Sequence, residues 1–448
     1  MKRFSTVALT FTLALGAAHA ARGQAGVRPR AAQGPNSKDA TPGAAASEAQ
    51  ALYDEAAQYA QHKFDEFRQN QVPYDQQLEQ KTLQEQRDLA LQNAARLAVR
   101  APLHGTDLYY SGLLYSLAGK GEGALDSMRE FLADATPTSP DLKQRARSVV
   151  AQQAAQLGLL DEAERMLADY AKAEPRVVGD QYRMNFLLAS AYVKKKDYAR
   201  AAAPAGEAYK AALVYARTAQ DPVQRDRTIY GAGSFYANVL ARAGRREEGV
   251  RVAEEMRARA FALPSARLYS QATQLLLEEG APLGLPPEVA GLEPPAPPEL
   301  AVAELIGQGP VKLAQLRGKV VLIDFWATWC TYCVKTMPRL NALHQKYKDR
   351  GLVVIGLNEF EGNIKGEEAT RAQELEYFRQ FKRRMNVSYD FAVAADSSNA
   401  VPYGVSALPT AVLIDRRGRV RFLTVSAGDE EAELLKTMIL KLLDEPAP

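Results

Sequence analysis

Cysteine is nearly absent from this chain, which has 448 residues and only two cysteines, Cys330 and Cys333. No second Cys-x-x-Cys pair exists, and a tetrahedral zinc site needs four ligands. The four histidines show no metal-ligand spacing: His19, His62, His104 and His344. The scarcity of both residue types argues against a metal centre and against a framework of several disulfides. We predict neither a metal nor any other cofactor, and one closely spaced cysteine pair is left to be explained.

A large net charge is also missing. The formal charge is +3, from 56 Lys and Arg against 53 Asp and Glu that are interleaved along the chain. No basic stripe with interleaved aromatic residues is present, so the sequence gives no support to nucleic-acid binding. A chain of 448 residues is longer than a domain with a single hydrophobic core usually is, so two or three domains are expected.

Long apolar runs are absent after the first twenty residues, so no later stretch could span a membrane. At the N-terminus, Lys2 and Arg3 precede a short apolar run, and Ala18-His19-Ala20 supplies a small-x-small cleavage site. This pattern predicts a cleaved secretory signal peptide at residues 1–20. We therefore expect an exported, periplasmic protein with no stable membrane span after cleavage. It would be tethered to the membrane only if the signal is retained.

If the protein is exported, the scarcity of cysteines becomes informative. An oxidising compartment permits disulfides, yet this chain has excluded every cysteine except Cys330 and Cys333. Stray thiols would compete for the same exchange chemistry, and a disulfide at this spacing closes a small loop that adds little stability. The pattern favours a catalytic pair over a structural one.

Composition divides the rest of the chain into segments. Residues 21–47 are rich in Ala, Gly, Pro, Ser and Gln, which predicts a disordered leader. In residues 48–280, alanine and leucine recur at three- and four-residue spacings with prolines at intervals, which predicts an all-α region. Residues 281–298, APLGLPPEVAGLEPPAPP, are predicted to form an extended proline-rich linker.

A short motif recurs within the helical region, where a residue that ends one helix is followed five positions later by a small residue. The four pairs are Gly119 and Ala124, Gly158 and Ala163, Lys194 and Ala199, and Gly244 and Gly249. The region resembles tetratricopeptide-type helix pairs, although the intervals of 39, 36 and 50 residues (from 124, 163, 199 and 249) depart from their regular period. We predict a tetratricopeptide-like helical array, and an irregular bundle without a binding groove is the alternative.

After residue 298 the periodicity changes. VVLIDF (Val320–Phe325) and residues 352–357 are short apolar runs typical of strands, and residues 334–350 between them form an amphipathic helical pattern. Residues 410–423 predict two strands around a tight turn, and residues 430–443 predict a closing helix. This order predicts an α/β domain with a mixed sheet.

The stretch LRGKVVLIDFWATWCTYC resembles the start of a thioredoxin-fold domain, in particular of the exported TlpA-like thiol-disulfide oxidoreductases. FWATWC, Pro338 five residues after the second cysteine, and ALPT with Pro409 before a strand agree with the resemblance. It implies a thioredoxin-like domain at residues 299–448. It also implies an enzyme that exchanges disulfides with protein substrates.

The physical interpretation of the pair is consistent with this resemblance. Cys330 would lie at the start of a helix, where unpaired N–H groups and the helix dipole stabilise a thiolate. Its thiolate would attack a substrate disulfide, and Cys333, one helical turn further on, would resolve the mixed disulfide. The residues between them are Thr331 and Tyr332 where thioredoxins carry Gly-Pro, so the direction of electron flow is left open.

Two carboxylates are implied in proton transfer. Asp324, six residues before Cys330, matches the aspartate that moves the resolving cysteine's proton in thioredoxins, whereas many TlpA-like domains have asparagine there. A carboxylate within an apolar run is costly unless it has a function. Some relatives place a glutamate after the next strand, for which Glu359 is the candidate relay and Glu361 competes.

The resemblance also implies a substrate-binding loop. Pro409 would be its cis-proline, facing the cysteines and pairing with substrate backbone, and Leu408 would shape the contact. Trp326 and Trp329 are expected to pack around the active site and exclude water, with Trp329 in contact with substrate. Core packing alone would explain Trp326 equally well.

The sequence thus predicts an exported thiol-disulfide oxidoreductase. Its expected partners are protein dithiols and disulfides, an upstream redox partner, and a protein recruited by the helical region. The alternative is a non-catalytic interaction scaffold with a thioredoxin-fold docking module. Peroxide reduction is a third possibility, but the proline- and threonine-rich signature before the cysteine is missing.

Overall fold

The computed structural model describes residues 47–281, 296–425 and 428–446, which belong to one compact unit. The predicted signal peptide, nearly all of the predicted leader and most of the predicted linker lie outside these ranges, and the predicted domain boundaries remain predictions. No helix in the described ranges has the length and apolar content needed to cross a membrane.

All regular structure in residues 47–281 is α-helical, which confirms the helical prediction. Consecutive helices pack against each other, and alternate helices such as the first and third, the fifth and seventh, and the ninth and eleventh are also in contact. The helices are α1 (Glu48–Gln69), α2 (Gln76–Ala98), α3 (Thr106–Leu117), α4 (Gly121–Ala133), α5 (Pro140–Leu157), α6 (Leu160–Ala171), α7 (Val178–Lys194), α8 (Tyr198–Ala216), α9 (Pro222–Arg242), α10 (Arg246–Ala262) and α11 (Ala266–Glu278). We call this region the array; its tetratricopeptide-like character remains a prediction.

The recurring motif marks turns between helices, and the structure corrects its register in one copy. Three copies have a glycine with positive φ two residues before the next helix begins: Gly119, Gly158 and Gly244 (φ 71°, 79° and 79°). In the third copy this position is Lys196 (φ 60°), not the predicted Lys194, because α7 continues through Lys194. The matching small residue is therefore Ala201, which is completely buried, rather than Ala199.

Small residues let neighbouring helices approach closely. A Cβ atom added at Gly249 in α10 would lie 2.8 Å from the backbone oxygen of Ala237 in α9. Since no side chain fits at that distance, a glycine at this position sets the spacing of the two helices.

The described residues after 296 contain a six-stranded mixed sheet in the order β1-β6-β3-β2-β7-β8, and a separate two-stranded hairpin of β4 and β5. The strands β2, β3 and β6 are parallel, whereas β7, β8 and β1 run antiparallel to their neighbours. The elements are β1 (Glu304–Ile306), β2 (Val320–Phe325), α12 (Thr331–Tyr347), β3 (Leu352–Glu359), β4 (Asn363–Ile364), β5 (Glu367–Glu368), α13 (Arg371–Arg384), β6 (Asp390–Ala394), β7 (Thr410–Ile414), β8 (Val420–Thr424) and α14 (Asp429–Asp444). This arrangement confirms the predicted α/β thioredoxin-like domain, although β1, β4, β5 and β6 were not predicted.

The two faces of the sheet are covered by different parts of the chain. Alternate residues of a strand point to opposite faces. Val320 and Leu322 of β2 belong to a buried cluster with α12 and α14. Val321 and Ile323 belong to a second buried cluster that continues into helices α3 to α11 of the array.

The array is in direct contact with the sheet. Helices α10 and α11 lie against the edge strand β8. Phe261 of α10 and Tyr269 of α11 place their rings 6.3 and 6.2 Å from the ring of Phe422 in β8. The helical region and the sheet therefore share a core, which the proline-rich segment between them did not indicate.

Candidate active site

Cys330 and Cys333 form a disulfide at the start of α12. Cys330 is the N-cap residue of this helix, and its Sγ accepts a hydrogen bond from the Cys333 N–H at 3.1 Å. Cys330 is 6% exposed, whereas Cys333 is fully buried. A partner can therefore reach only Cys330, and the N–H groups and dipole of α12 are placed to stabilise its thiolate after reduction.

Asp324 lies on β2, on the sheet face that α12 and α14 cover. It is 1% exposed, and burial raises the pKa of its carboxyl to about 8. Its Oδ2 has no hydrogen-bond partner among the described residues. A carboxyl group in this state holds its proton at neutral pH and can exchange it close to the range in which thiols titrate.

A cavity of about 330 Å³ lies between α12 and α14, and both Asp324 and Pro409 line it. Its walls include the apolar side chains of Leu340, Leu343 and Leu435, with several lysine, arginine and threonine side chains among the remaining lining residues. A cavity of this volume is large enough for several water molecules, which need polar partners such as the Asp324 carboxyl. The buried acid therefore borders space that water can occupy.

The predicted cis-proline loop adjoins this cavity. The Leu408–Pro409 peptide bond is cis, Pro409 is buried and Leu408 is half-buried. Pro409 leads directly into β7, whose first residue, Thr410, pairs with Phe325 at the end of β2. The sheet register thus places the loop beside the end of β2 that leads to the cysteines.

Trp329 precedes Cys330 and is 66% exposed, so it is not packed as expected. Its indole Nε1–H donates a hydrogen bond to Glu361 Oε1 at 2.6 Å. Trp326 is the packed tryptophan: it is 2% exposed, and its ring lies 5.2 Å from that of Phe381 and 4.7 Å from that of Phe391. The exposed indole leaves an apolar surface next to the accessible cysteine.

The two candidate glutamates, Glu359 as the last residue of β3 and Glu361 two residues beyond it, differ in their contacts. The pKa of Glu359 is raised by burial and by the nearby charges of Glu361 and Asp396. The pKa of Glu361 is also raised by burial, while its hydrogen bond to Trp329 opposes that rise. Of the two candidates, Glu361 is the one whose contact ties it to the segment that carries the cysteines.

Sequence reasoning missed Glu374, which is 1% exposed in the first turn of α13. Its carboxylate accepts hydrogen bonds from the backbone N–H groups of Glu361 (2.8 Å) and Gly362 (3.0 Å) and so fixes the turn that carries Glu361. The available signal was the capping box of Thr370 and Gln373, which sets the start of α13 and places Glu374 within its first turn.

Comparisons with known proteins agree with this geometry over the last third of the chain. The model of a family described as the AhpC/TSA family matches residues 296–423. Thiol-disulfide oxidoreductase ResA of Bacillus anthracis is 31% identical over 145 residues, which are 32% of this chain and 75% of that protein. Protein DipZ of Mycobacterium bovis is 34% identical over 145 residues, which are 32% of this chain and 19% of that protein.

Among solved structures, a protein described as thiol:disulfide interchange protein DsbE from Chlorobium tepidum is 30% identical. The match covers 33% of this chain and 95% of that one, with a TM-score of 0.28. Because three quarters of ResA is matched at more than 30% identity, this chain belongs to the family of thioredoxin-fold thiol-disulfide oxidoreductases that includes ResA.

Proposed function

We propose that this protein works outside the cytoplasm and exchanges disulfides with protein substrates through Cys330 and Cys333. The observation that carries the proposal is the asymmetry of the pair. Cys330 caps a helix start and is partly accessible, and Cys333 is completely buried behind it. An accessible attacking thiol and a sheltered resolving thiol are what two-step exchange requires.

The reaction follows from this asymmetry. The Cys330 thiolate attacks one sulfur of a substrate disulfide, forms a mixed disulfide and expels the other substrate sulfur as a thiolate, which takes a proton from solvent. Cys333 loses its proton, attacks Cys330 Sγ and expels the second substrate thiolate. Two electrons pass from the cysteine pair to the substrate, and an upstream redox partner returns them to the pair. The reverse sequence oxidises a substrate dithiol.

In this scheme Asp324 first releases its proton to water in the adjoining cavity, and the resulting carboxylate then accepts the proton of Cys333. Its pKa of about 8 lies close to that of an ordinary thiol, so proton transfer between the two groups is nearly balanced in free energy. The cavity that borders Asp324 then offers water to carry the proton to solvent. An aspartate with an ordinary pKa would be a much weaker base for this step.

Substrate contact is assigned to the residues around Cys330. The half-buried Leu408 and the cis Pro409 present the loop backbone to an extended substrate segment, and the exposed Trp329 ring covers it. Glu361, rather than Glu359, is the proton relay on this side, because its hydrogen bond to Trp329 holds it next to the cysteine segment.

The test is the reduction of insulin disulfides by dithiothreitol, with the wild-type protein compared with Cys330→Ser. We expect the variant to fall to the uncatalysed rate and Cys333→Ser to accumulate a mixed disulfide with insulin. Equal rates for the wild type and Cys330→Ser would instead support the non-catalytic scaffold. Peroxide consumption by the reduced wild type, absent in Cys330→Ser, would favour the peroxidase alternative.

Export and partner recruitment complete the proposal. The predicted signal at residues 1–20 supports export, and a partner bound to the array would raise the local concentration of substrate at the redox site. Deleting the array is a poor test because α10 and α11 pack against β8. Substituting the exposed Leu157 and Leu159 (42% and 43% exposed) with serine in a Cys333→Ser chain is cleaner.

This experiment is done in the native host, with captured partners identified after extraction. Recruitment through this surface is supported if the two leucine substitutions abolish capture in the Cys333→Ser chain. The same two substitutions in a chain that keeps Cys333 should leave insulin reduction unchanged. Unchanged capture contradicts it.

A further inference from the structure

The loop that ends in Pro409 is held at its other end by the array. Residues 400–409 connect a short 3-10 helix, Ser397–Asn399, to β7. The backbone N–H of Ala266 donates a hydrogen bond to the carbonyl oxygen of Tyr403 at 2.9 Å. Ala266 is the first residue of α11, and the first N–H groups of a helix have no partner within it. The start of an array helix therefore binds the loop backbone six residues before Pro409.

The start of α11 is itself fixed within the array. Ser265, its N-cap, is completely buried; its Oγ accepts a hydrogen bond from the Leu268 N–H at 3.1 Å and donates one to Asp226 Oδ2 at 2.5 Å. Asp226 of α9 is also completely buried and forms an ion pair with Arg225 at 2.8 Å. The buried carboxylate of Asp226 thus fixes the start of α11, and the start of α11 in turn binds the backbone of the loop.

The loop backbone fits closely against this helix start. Gly404 has φ +57°, and a Cβ atom added there would lie 2.7 Å from Ser265 Oγ. On the other side, the buried Tyr403 donates its hydroxyl hydrogen to the Pro298 carbonyl at 2.5 Å and places its ring 5.5 Å from that of Phe325. The loop is clamped between α11 and the end of β2, while Ser406 and Ala407 near its tip are exposed.

We infer that Ser265 and Asp226 are positioning residues for the substrate-binding loop, so that the array sets the affinity of the redox site for polypeptide substrates. The inference rests on the proposed function, which assigns substrate contact to Leu408 and Pro409. A loop that is ordered beforehand loses less conformational freedom when it binds a chain. Ser265 and Asp226 lie on the array side of the sheet, whereas Cys330 and Cys333 belong to the buried cluster on the opposite side, so we expect loosening the clamp to change binding more than the exchange chemistry.

The test compares Ser265→Ala with Ser139→Ala in the full chain. Ser139 is the N-cap of α5, where its hydroxyl accepts from the Leu142 N–H, and α5 packs against α4, α6 and α7. We expect Ser265→Ala to raise KM for insulin about fivefold, because a loosened helix start weakens the neutral hydrogen bond from the Ala266 N–H to the Tyr403 carbonyl. Its kcat, its reduction potential and its rate with hydroxyethyl disulfide, which is too small to engage the loop, should stay within about twofold of the wild type.

In the same comparison, amide hydrogen exchange in residues 403–410 should be faster in Ser265→Ala and unchanged in Ser139→Ala. The inference would be overturned by an unchanged KM for insulin in Ser265→Ala, or by an equal rise in KM in Ser139→Ala. It would also be overturned if Ser265→Ala lost as much activity with hydroxyethyl disulfide as with insulin. Should Ser265→Ala not fold, Gly404→Ala serves instead, because it keeps the hydrogen bonds of Ser265 and pushes the loop away from it. An unchanged KM in that variant overturns the inference as well.

The two proposals fail differently. If the wild type reduces insulin through Cys330 and Ser265→Ala behaves like Ser139→Ala, only the positioning role is lost. If the wild type itself shows no reduction that depends on Cys330, the proposed function is lost and the positioning role with it.

Discussion

Ile323 and Asp324 are neighbours on β2, and their side chains point to opposite faces of the sheet. Ile323 belongs to the buried cluster shared with the array, where apolar side chains from both regions meet. Asp324 faces α12 and α14 and lines the cavity of about 330 Å³ between them. Both residues are almost completely buried, but Asp324 borders space that water can enter, whereas Ile323 lies among apolar side chains.

The different surroundings of Ile323 and Asp324 show that burial alone does not determine the role of a sheet face. The face towards the array is a continuous apolar core, and it stabilises the contact between the two regions. The face towards α12 and α14 carries a buried acid, which costs folding free energy at neutral pH. We expect the chain to tolerate that cost because the acid serves the exchange reaction.

The largest expected effect comes from placing a carboxylate on the wrong face. Ile323→Asp should destabilise the fold by about 5 kcal/mol, because a charge would be buried without a partner or water. Urea unfolding followed by tryptophan fluorescence measures it, since both tryptophans, Trp326 and Trp329, lie in the redox region. Ile323→Leu is the volume-matched control, with a cost below about 1.5 kcal/mol. Near wild-type stability of Ile323→Asp would mean that the array leaves this face hydrated.

On the opposite face, removing the carboxylate should stabilise the protein. The pKa of Asp324 is about 8 in the folded state and about 3.9 when unfolded. Between these values the folded form keeps a proton that the unfolded form releases, so wild-type stability falls as pH rises from about 4 to 8. Asp324→Asn should therefore be more stable by about 4 kcal/mol at pH 7 and gain little near pH 4.

Urea unfolding of the oxidised protein at pH 4.5 and pH 8 checks this prediction, and a pH-independent difference would contradict it. The same variant should resolve its mixed disulfide roughly tenfold to a hundredfold more slowly, since it lacks the base. Stopped-flow measurement of thiol release separates this step from the initial attack.

Sharing of the core between the two regions predicts coupled unfolding. Leu268 of α11 and Leu97 of α2 are both completely buried, but only Leu268 belongs to the cluster that reaches the sheet. Leu268→Ala should lower the free energy of unfolding by about 3 kcal/mol when tryptophan fluorescence is followed. Leu97→Ala should shift the far-ultraviolet circular dichroism transition more than the fluorescence transition. Equal fluorescence shifts in both variants would refute this distinction.

The smallest expected effect concerns Glu359 and Glu361, the two glutamates near the segment that carries the cysteines. Glu361→Gln removes a negative charge next to the cysteine segment, which favours the thiolate, so the pKa of the Cys330 thiol should fall by less than about one unit. The pH dependence of alkylation of the reduced protein by iodoacetamide measures it. Glu359→Gln is the matched control and should change this pKa less. A larger change in the control would return the relay role to Glu359.

The sequence predicted most of the elements that carry the site. Local sequence patterns were enough to place β2, α12 and the cysteine motif. The apolar run of β2, the amphipathic pattern of α12 and the position of Cys330 and Cys333 between them all indicate the same order of elements. The strands β1, β4 and β5 escaped prediction because they have only three, two and two residues. The strand β6 is as long as β7 and β8, but no tight-turn signal like Asp415-Arg416-Arg417-Gly418 marks it in the sequence. Which glutamate approaches Trp329 depends on where β3 ends and how the next turn folds, and periodicity does not determine that.

The contact between array and sheet could not be predicted because it depends on surfaces far apart in the chain. A proline-rich segment indicates separation of its flanking regions, yet Phe261 and Tyr269 pack on Phe422. Likewise, nothing in the pattern around Ser265 distinguishes it from an ordinary helix cap. Its importance arises from Tyr403, which is 138 residues away in the sequence.

The shared core also has a consequence for the order in which the protein folds. The array precedes the sheet in the chain, and its contacts are largely between neighbouring helices, which form quickly. The sheet needs pairings between distant strands such as β2 and β7, which form slowly and expose apolar edges meanwhile. A newly made chain would therefore assemble its slowest part on a surface that already exists, and the array would protect the redox region of the same chain from aggregation while it folds.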